Sequence, residues 1–262
     1  MEQLVYTNGR YLSPLPSISW FGSHFPSLAF YASFIGCVLE GVSQAKRGLY
    51  DGEAWALNSL HVLQALERVG VRIDVKGLEH VEQLEGACVF IGNHMSMMET
   101  MILPAMIQPI TPVTFVIKQS LLEYPAFKHV MRTRKPIAVT RTNPRLDLKI
   151  VMEEGTHKLQ SGTSIIIFPQ TTRMVNFEQE HFNSIGVKLA KKAGVPIIPV
   201  ALVTDAWQNG KFLKDFGKID PSKLVSFSFG KPLQVEGRGS EEHAQIVEFI
   251  QSHLQHVHAL ES

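Results

Sequence analysis

The stretch Ala87-Cys-Val-Phe-Ile-Gly-Asn-His-Met-Ser-Met-Met-Glu99 passes from a buried apolar run to polar chemistry within a few residues. An apolar run of strand length that stops at Gly92 reads as an interior strand, followed by a turn into a helix. His94 and Glu99 stand five positions apart. On one continuous helix such residues point about 140° away from each other, so they meet only if the histidine sits in the turn and the helix begins after it, with Ser96 as its N-cap. The imidazole then lies at the carboxyl end of a strand, where open α/β sheets place their ligands. A carboxylate on one ring nitrogen fixes the tautomer and leaves the other free to take a proton from a substrate hydroxyl. By itself, a histidine near an acid is more often a satisfied polar pair than a catalyst. The rest of the chain decides.

Outward from this turn, short β-branched runs alternate with helical stretches. The expected strands are 71–75, 87–91, 113–117, 137–140, 164–168, 196–202 and 225–229. Helix ends are legible between them: Asp51 opens a helix that stops at Gly70, Asn143 caps one with Pro144 in its first turn and Gly162 beyond its end, and Asn183 or Ser184 opens another stopped by Gly194. A last helix runs from Ser240 to about His256. This alternation specifies an α/β fold with a largely parallel central sheet flanked by helices. The expected division is an N-terminal helical, membrane-associating segment over 1–70 and an α/β domain over 71–262. The histidines at 243, 253, 256 and 258 match no metal-ligand spacing and read as a solvated face.

Global properties narrow the functions. In 262 residues, 25 basic and 24 acidic side chains nearly cancel, so no overall field recruits nucleic acid, and anion binding must be local. Cys37 and Cys88 sit in apolar surroundings without paired spacing, as in a reduced, cytoplasm-facing protein without disulfides. Residues 1–19 read as an irregular lead-in without an export leader. Residues 20–39 are aromatic and apolar but interrupted by His24 and Pro26, short of the ~20 uninterrupted apolar residues of a typical span. With Lys46 and Arg47 close behind, they suit a helix lying in the headgroup region. A nucleophile elbow, a Walker loop and a dinucleotide fingerprint are all missing from the sequence.

Cations gather where the strands end. Lys118 follows 113–117, Arg141 follows 137–140, and Arg173 follows 164–168. In a parallel sheet all of them share an edge with His94, and arginine's planar fork matches phosphate oxygens. Gln170, Thr171 and Thr172 offer an amide and hydroxyls to a polyol backbone there.

These residues carry a family resemblance over roughly 71–235. Asn93-His94 through Glu99 resembles the H-x-x-x-x-D/E block of the glycerophospholipid acyltransferases, specifically the 1-acyl-glycerol-3-phosphate (lysophosphatidate) acyltransferases. Lys118-Gln-Ser-Leu-Leu-Glu-Tyr-Pro125 with 137–141 resembles their second block, Phe168-Pro-Gln-Thr-Thr-Arg173 the F-P-E-G-T-R block, and Val195-Pro-Ile-Ile-Pro-Val200 the closing V-P-I-I-P-V block. The chain departs from the pattern with Glu99 for the usual Asp, Gln170 for Glu and Thr171 for Gly. Gln170 keeps a hydrogen-bonding carbonyl but cannot act as a base.

The resemblance implies transfer of a fatty acyl chain from acyl-CoA or acyl carrier protein, as substrate and with no cofactor or metal, to a lysophospholipid hydroxyl. His94 would be the base and Glu99 its orienting carboxylate, without a covalent intermediate. Lys118, Arg141, Gln170, Thr171, Thr172 and Arg173 would bind the acceptor. The implied partner surface is phospholipid, at the cytoplasmic face of the inner membrane. Another lysolipid acceptor, a non-catalytic lipid-binding protein and a hydrolase remain as alternatives.

Overall fold

The structure, a computed structural model, describes residues 2–15, 18–124, 128–170, 172–211 and 213–261. In chain order its elements are β1 (Tyr11–Leu12), α1 (Trp20–His24), α2 (Pro26–Lys46), α3 (Gly52–Glu67), β2 (Arg72–Lys76), α4 (Glu79–Glu82), β3 (Val89–Gly92), α5 (Met98–Ile107), β4 (Val113–Lys118), α6 (Lys128–Thr133), β5 (Ile137–Val139), α7 (Pro144–Gln160), β6 (Ser164–Ile167), α8 (Ile185–Ala193), β7 (Ile197–Val203), β8 (Leu224–Phe229) and α9 (Ser240–Glu261). Every strand expected from the sequence is present.

The strands form one 8-stranded sheet in the order β1-β2-β8-β7-β3-β6-β4-β5. β3 runs parallel to β6 and β7, and β4 runs parallel to β5 and β6. β8 turns back antiparallel on β7, carries β2 in parallel, and β1 closes that side antiparallel to β2. The carboxyl ends of β3, β4, β5, β6 and β7 therefore open on one edge. That edge holds the site.

Strand alternation sorts side chains between two apolar cores. Along β3, Phe90 joins the core beneath α2, α3 and α5, whereas Val89 and Ile91 join the core beneath α7, α8 and α9. β6 and β7 alternate in the same way, with Ile166 and Ile198 on the first side and Ile165 and Ile197 on the second. Buried on both faces, these strands read as continuous apolar runs. The first core also contains Leu4, Phe30, Phe34 and Trp55, so packing is continuous across residue 70.

Local signals explain the helix ends. Asp51 accepts the Ala54 N–H at 2.9 Å, Asn143 accepts that of Leu146 at 3.2 Å, and Gly194 ends α8 with φ 70°. Phe25 separates α1 from α2, and Pro26 occupies the first turn of α2, where its missing N–H costs nothing. α2 continues well past the apolar stretch, to Lys46. By length and composition it is sufficient to cross a membrane, with 22% of its most apolar window buried.

Three expectations need correction. The lead-in is not wholly irregular: β1 lies in it, tied down by Arg10 on Asp74 at 2.9 Å and by the Tyr11 and Ser13 hydroxyls on Glu67. Two residues are too few to show a period. Ser96 is not the N-cap of α5, since Met97 holds that position, although the Ser96 hydroxyl still accepts the Met98 N–H at 3.0 Å. The last helix extends to Glu261, and His253 on it is turned toward Ser226 Oγ at 3.1 Å rather than belonging to a solvated face. Burial, then the charges of Lys76 and His256, push that imidazole down to about 4.

Candidate active site

β3 reaches the sheet edge in tight contact with β7: a Cβ on Gly92 would lie 2.8 Å from the Val200 carbonyl oxygen, so only glycine fits there. Asn93 pins the next residue across the same gap, donating to the Leu202 carbonyl and accepting the Leu202 N–H, both at 2.8 Å. The chain then turns, and His94 stands off the strand end as the pattern required.

His94 Nδ1 meets Glu99 Oε1 at 2.9 Å, with the Glu99 side chain fully buried and that of His94 12% exposed. Oε1 also accepts the N–H groups of Met95 at 2.6 Å and Ser96 at 2.9 Å. Oε2 accepts the Thr204 hydroxyl at 2.7 Å, with Ser96 Oγ at 3.0 Å. Burial works to raise the Glu99 carboxyl. The hydrogen bond and charge of His94, with Thr204 and the Ser96 N–H, outweigh it and hold the carboxyl below the ordinary carboxylate range. An anionic Glu99 accepts the Nδ1–H and leaves Nε2 as the proton acceptor.

β6 supplies the other wall. The Phe168 ring lies flat on the imidazole, with centroids 4.5 Å apart and planes inclined by 6°. The Gln170 carbonyl accepts the His94 N–H at 2.6 Å, and the Met174 N–H donates to the His94 carbonyl at 2.9 Å. Gln170 is 1% exposed, and its carbonyl braces the histidine backbone from behind. Thr172 is exposed and away from the cavity walls; Thr171 and Pro125 lie outside the described residues.

His94, Lys118, Arg141 and Arg173 line one cavity. The same cavity is also walled by Phe34, Trp55, Val62, Met97, Met101 and Phe115, from α2, α3, β4 and the start of α5, with Arg134 over the Trp55 ring. Arg173 pairs with Asp215, which also faces the cavity. Burial lowers the Arg141 guanidinium, and the charge of Arg173, which lines the same cavity, lowers it further. Arg141 has φ 62°, left-handed for a residue with a side chain. Asp147, in the first turn of α7, holds it there by accepting the Thr140 N–H at 2.8 Å and the Arg141 N–H at 2.7 Å.

A model of the Acyltransferase family matches residues 72–203. The chain belongs to that family. It is 30% identical over 177 residues to the 1-acyl-sn-glycerol-3-phosphate acyltransferase of Pseudomonas aeruginosa, covering 68% of this chain and 65% of that one. It is 28% identical over 146 residues to the protein of the same name from Borreliella burgdorferi, covering 56% of each. The matches thus span less than two thirds of these relatives' length. The crystal structure of the 1-acyl-sn-glycerophosphate (LPA) acyltransferase of Thermotoga maritima shares the fold, with a TM-score of 0.66 at 20% identity over 90% of this chain and 96% of that one.

In this acyltransferase, sequence reasoning brought His94, Glu99, Lys118, Arg141 and Arg173 to one edge, and the structure assembles them around one cavity. It missed Phe168 as the ring beneath His94, and Asp147, Thr204 and Asp215. Asp147 alone had a local signal, an acid in a first helical turn directly after a strand-end cation. The left-handed conformation of Arg141 costs roughly 1–2 kcal/mol, against roughly 0.5–1 kcal/mol for the extra chain entropy of glycine. Because Arg141 also has contacts of its own to lose, Arg141→Gly is expected to stay within ~1 kcal/mol of the unaltered protein in urea unfolding, relief of the left-handed strain offsetting that loss. A loss of more than ~1 kcal/mol would make the guanidinium a structural strut rather than a functional group.

Proposed function

We propose that the protein transfers a fatty acyl chain from a thioester of coenzyme A or acyl carrier protein to a lysophospholipid hydroxyl, converting 1-acyl-sn-glycerol-3-phosphate to phosphatidate. One observation carries this reading: the cavity holding His94 is lined both by the cations Lys118, Arg141 and Arg173 and by a run of apolar side chains, a combination that suits substrates with anionic heads and acyl chains. The names of the relatives in Pseudomonas and Borreliella support the same acceptor.

In the proposed reaction His94 Nε2 removes the proton of the acceptor hydroxyl as its oxygen attacks the thioester carbon. Glu99 holds the imidazole and stabilises the imidazolium. The tetrahedral intermediate expels the thiolate, which takes the proton back from Nε2. Ser96 does not serve as a nucleophile, because it is 1% exposed and its hydroxyl is engaged by Glu99 and Thr204. Lys118, Arg141 and Arg173 hold the acceptor phosphate, so that binding remote from the reacting carbon places the hydroxyl. Donor thioesters enter as substrates, and the reaction as proposed needs no bound cofactor.

A membrane surface completes the reading. Trp20, Phe21, Phe25, Leu28, Ile35 and Leu39 expose apolar surface on α1, on α2 and between them, with Lys46 and Arg47 at the end of α2. Aromatic and aliphatic side chains beside basic ones suit the headgroup layer on the cytoplasmic side, where a lysolipid reaches the cavity without crossing water. A second acceptor class has one observation in its favour. Asp215 sits on Arg173, so a headgroup bearing a cation beside its anion would find a partner for each; competition between lysophosphatidate and an amine-bearing lysolipid separates the two.

Thiol release from palmitoyl-CoA and from palmitoyl carrier protein, each with and without lysophosphatidate, tests the reaction. Acceptor-dependent release that falls by at least about 100-fold in a folded His94→Ala variant is expected. Release without acceptor would indicate a hydrolase, and no release with either donor would contradict the reading. With acceptor presented in vesicles, the Trp20→Ser/Phe25→Ser variant is expected to slow, while its rate in detergent micelles stays at the unaltered level; equal rates in both would remove the docking surface.

A further inference from the structure

Glu99 bears its charge in full burial, and among the described residues its ion partner is His94. Its two oxygens are held differently. Oε1 is shared by the His94 ring and the N–H groups of Met95 and Ser96, all from its own turn. Oε2 points the other way, into a pair of hydroxyls. Thr204 Oγ1 lies 2.7 Å from it, Ser96 Oγ lies 3.0 Å from it, and the hydroxyl oxygens are 3.0 Å apart.

The protons can be followed around this triangle. Ser96 Oγ already accepts the Met98 N–H, and its own proton goes either to Oε2 or to Thr204 Oγ1. In both cases the Thr204 proton goes to Glu99, at the shortest distance in the triangle. Thr204 is therefore the constant donor and Ser96 the variable one. Among the described residues it is also the one donor to Glu99 from outside the turn, immediately after β7, whose last residue is Val203. Its backbone is fixed independently: its N–H donates to Met95 Sδ at 3.2 Å, and its carbonyl accepts the Trp207 N–H at 3.1 Å. With 0% exposure, no water takes its place.

We infer that Thr204 is a positioning residue for the acyl transfer: its hydroxyl, anchored on β7, locks the outer oxygen of Glu99 so that the inner one holds His94 with Nε2 toward the substrate. The inference rests on the proposed reaction and adds to it a determinant outside the His94–Glu99 block. Without the hydroxyl, Oε2 keeps only Ser96, which must also serve the helix start. The carboxylate plane is then free to turn. Thr204 does not line the cavity. Its effect passes through Glu99, so it falls on turnover and not on binding.

The test is steady-state kinetics on the full chain with lysophosphatidate and palmitoyl-CoA or palmitoyl carrier protein. Thr204→Val replaces the hydroxyl by a methyl of similar shape, and Thr204→Ser keeps it. The expected result for Thr204→Val is a kcat lower by about 10- to 100-fold with KM for both substrates within about twofold, and for Thr204→Ser a kcat within about threefold of the unaltered protein. If the Val variant does not fold, Thr204→Cys, with a weakly donating thiol, takes its place with the same expected loss. Full turnover in a folded Val or Cys variant would overturn the inference while leaving the proposed reaction standing. A loss shared equally by Thr204→Ser would make the residue a packing element and overturn it too. Absence of acceptor-dependent turnover in the unaltered protein would remove the proposed reaction, and this inference with it.

Discussion

A carboxylate without exposure, held to an imidazole at 2.9 Å, is the contact on which the rest of this site depends. Taking a charge out of water is costly unless hydrogen bonds replace the hydration, and an unpaired buried carboxylate would simply take up a proton. Here the turn supplies the N–H groups of Met95 and Ser96, and a neighbouring strand supplies the Thr204 hydroxyl. The anion persists because the backbone is bent to feed it. The bend is possible because β3 stops at a glycine pressed against β7.

The sheet converts this local arrangement into a cavity. Five neighbouring strands run the same way, so the loops after β3, β4, β5 and β6 bring a histidine and three cations to one edge from distant parts of the chain. The N-terminal helices close the other side. α2 contributes Phe34 to the wall, and its Phe30 and Phe34 pack edge-on against Trp207, whose indole N–H holds the Asp215 carbonyl at 3.2 Å. The segment that exposes its aromatics outward thus also anchors the loop that pairs with Arg173. The exposed aromatic segment and the Arg173–Asp215 side of the cavity are packed as one unit.

What the sequence revealed and what it hid follow from how each feature is encoded. Strands buried on both faces announce themselves as apolar runs, and caps such as Asp51 and Asn143 act within three residues, so the elements and their order were legible. Direction is not written in a period, and the antiparallel return of β8 on β7 had no local signature. The base and the cations were found because they follow strands directly. Asp215 was not, because it comes from a segment without periodicity, and Thr204, although it follows β7 directly, carries no charge to mark it and its sequence neighbours say nothing of Glu99. Gln170 was assigned to the acceptor because of its block, and the block gave no sign that its carbonyl would also take the His94 N–H. A motif identifies which residues gather; only the fold shows which way each one faces.

The central claim is that the negative charge of Glu99, and not merely its shape, sets the histidine for proton transfer. Glu99→Gln tests it most directly, because an amide fills the same space but presents a donor to Nδ1 and so favours the tautomer with Nε2 protonated. The account predicts a folded protein with retained KM for both substrates and kcat reduced by about 100- to 10,000-fold. Turnover within about tenfold of the unaltered protein would contradict it.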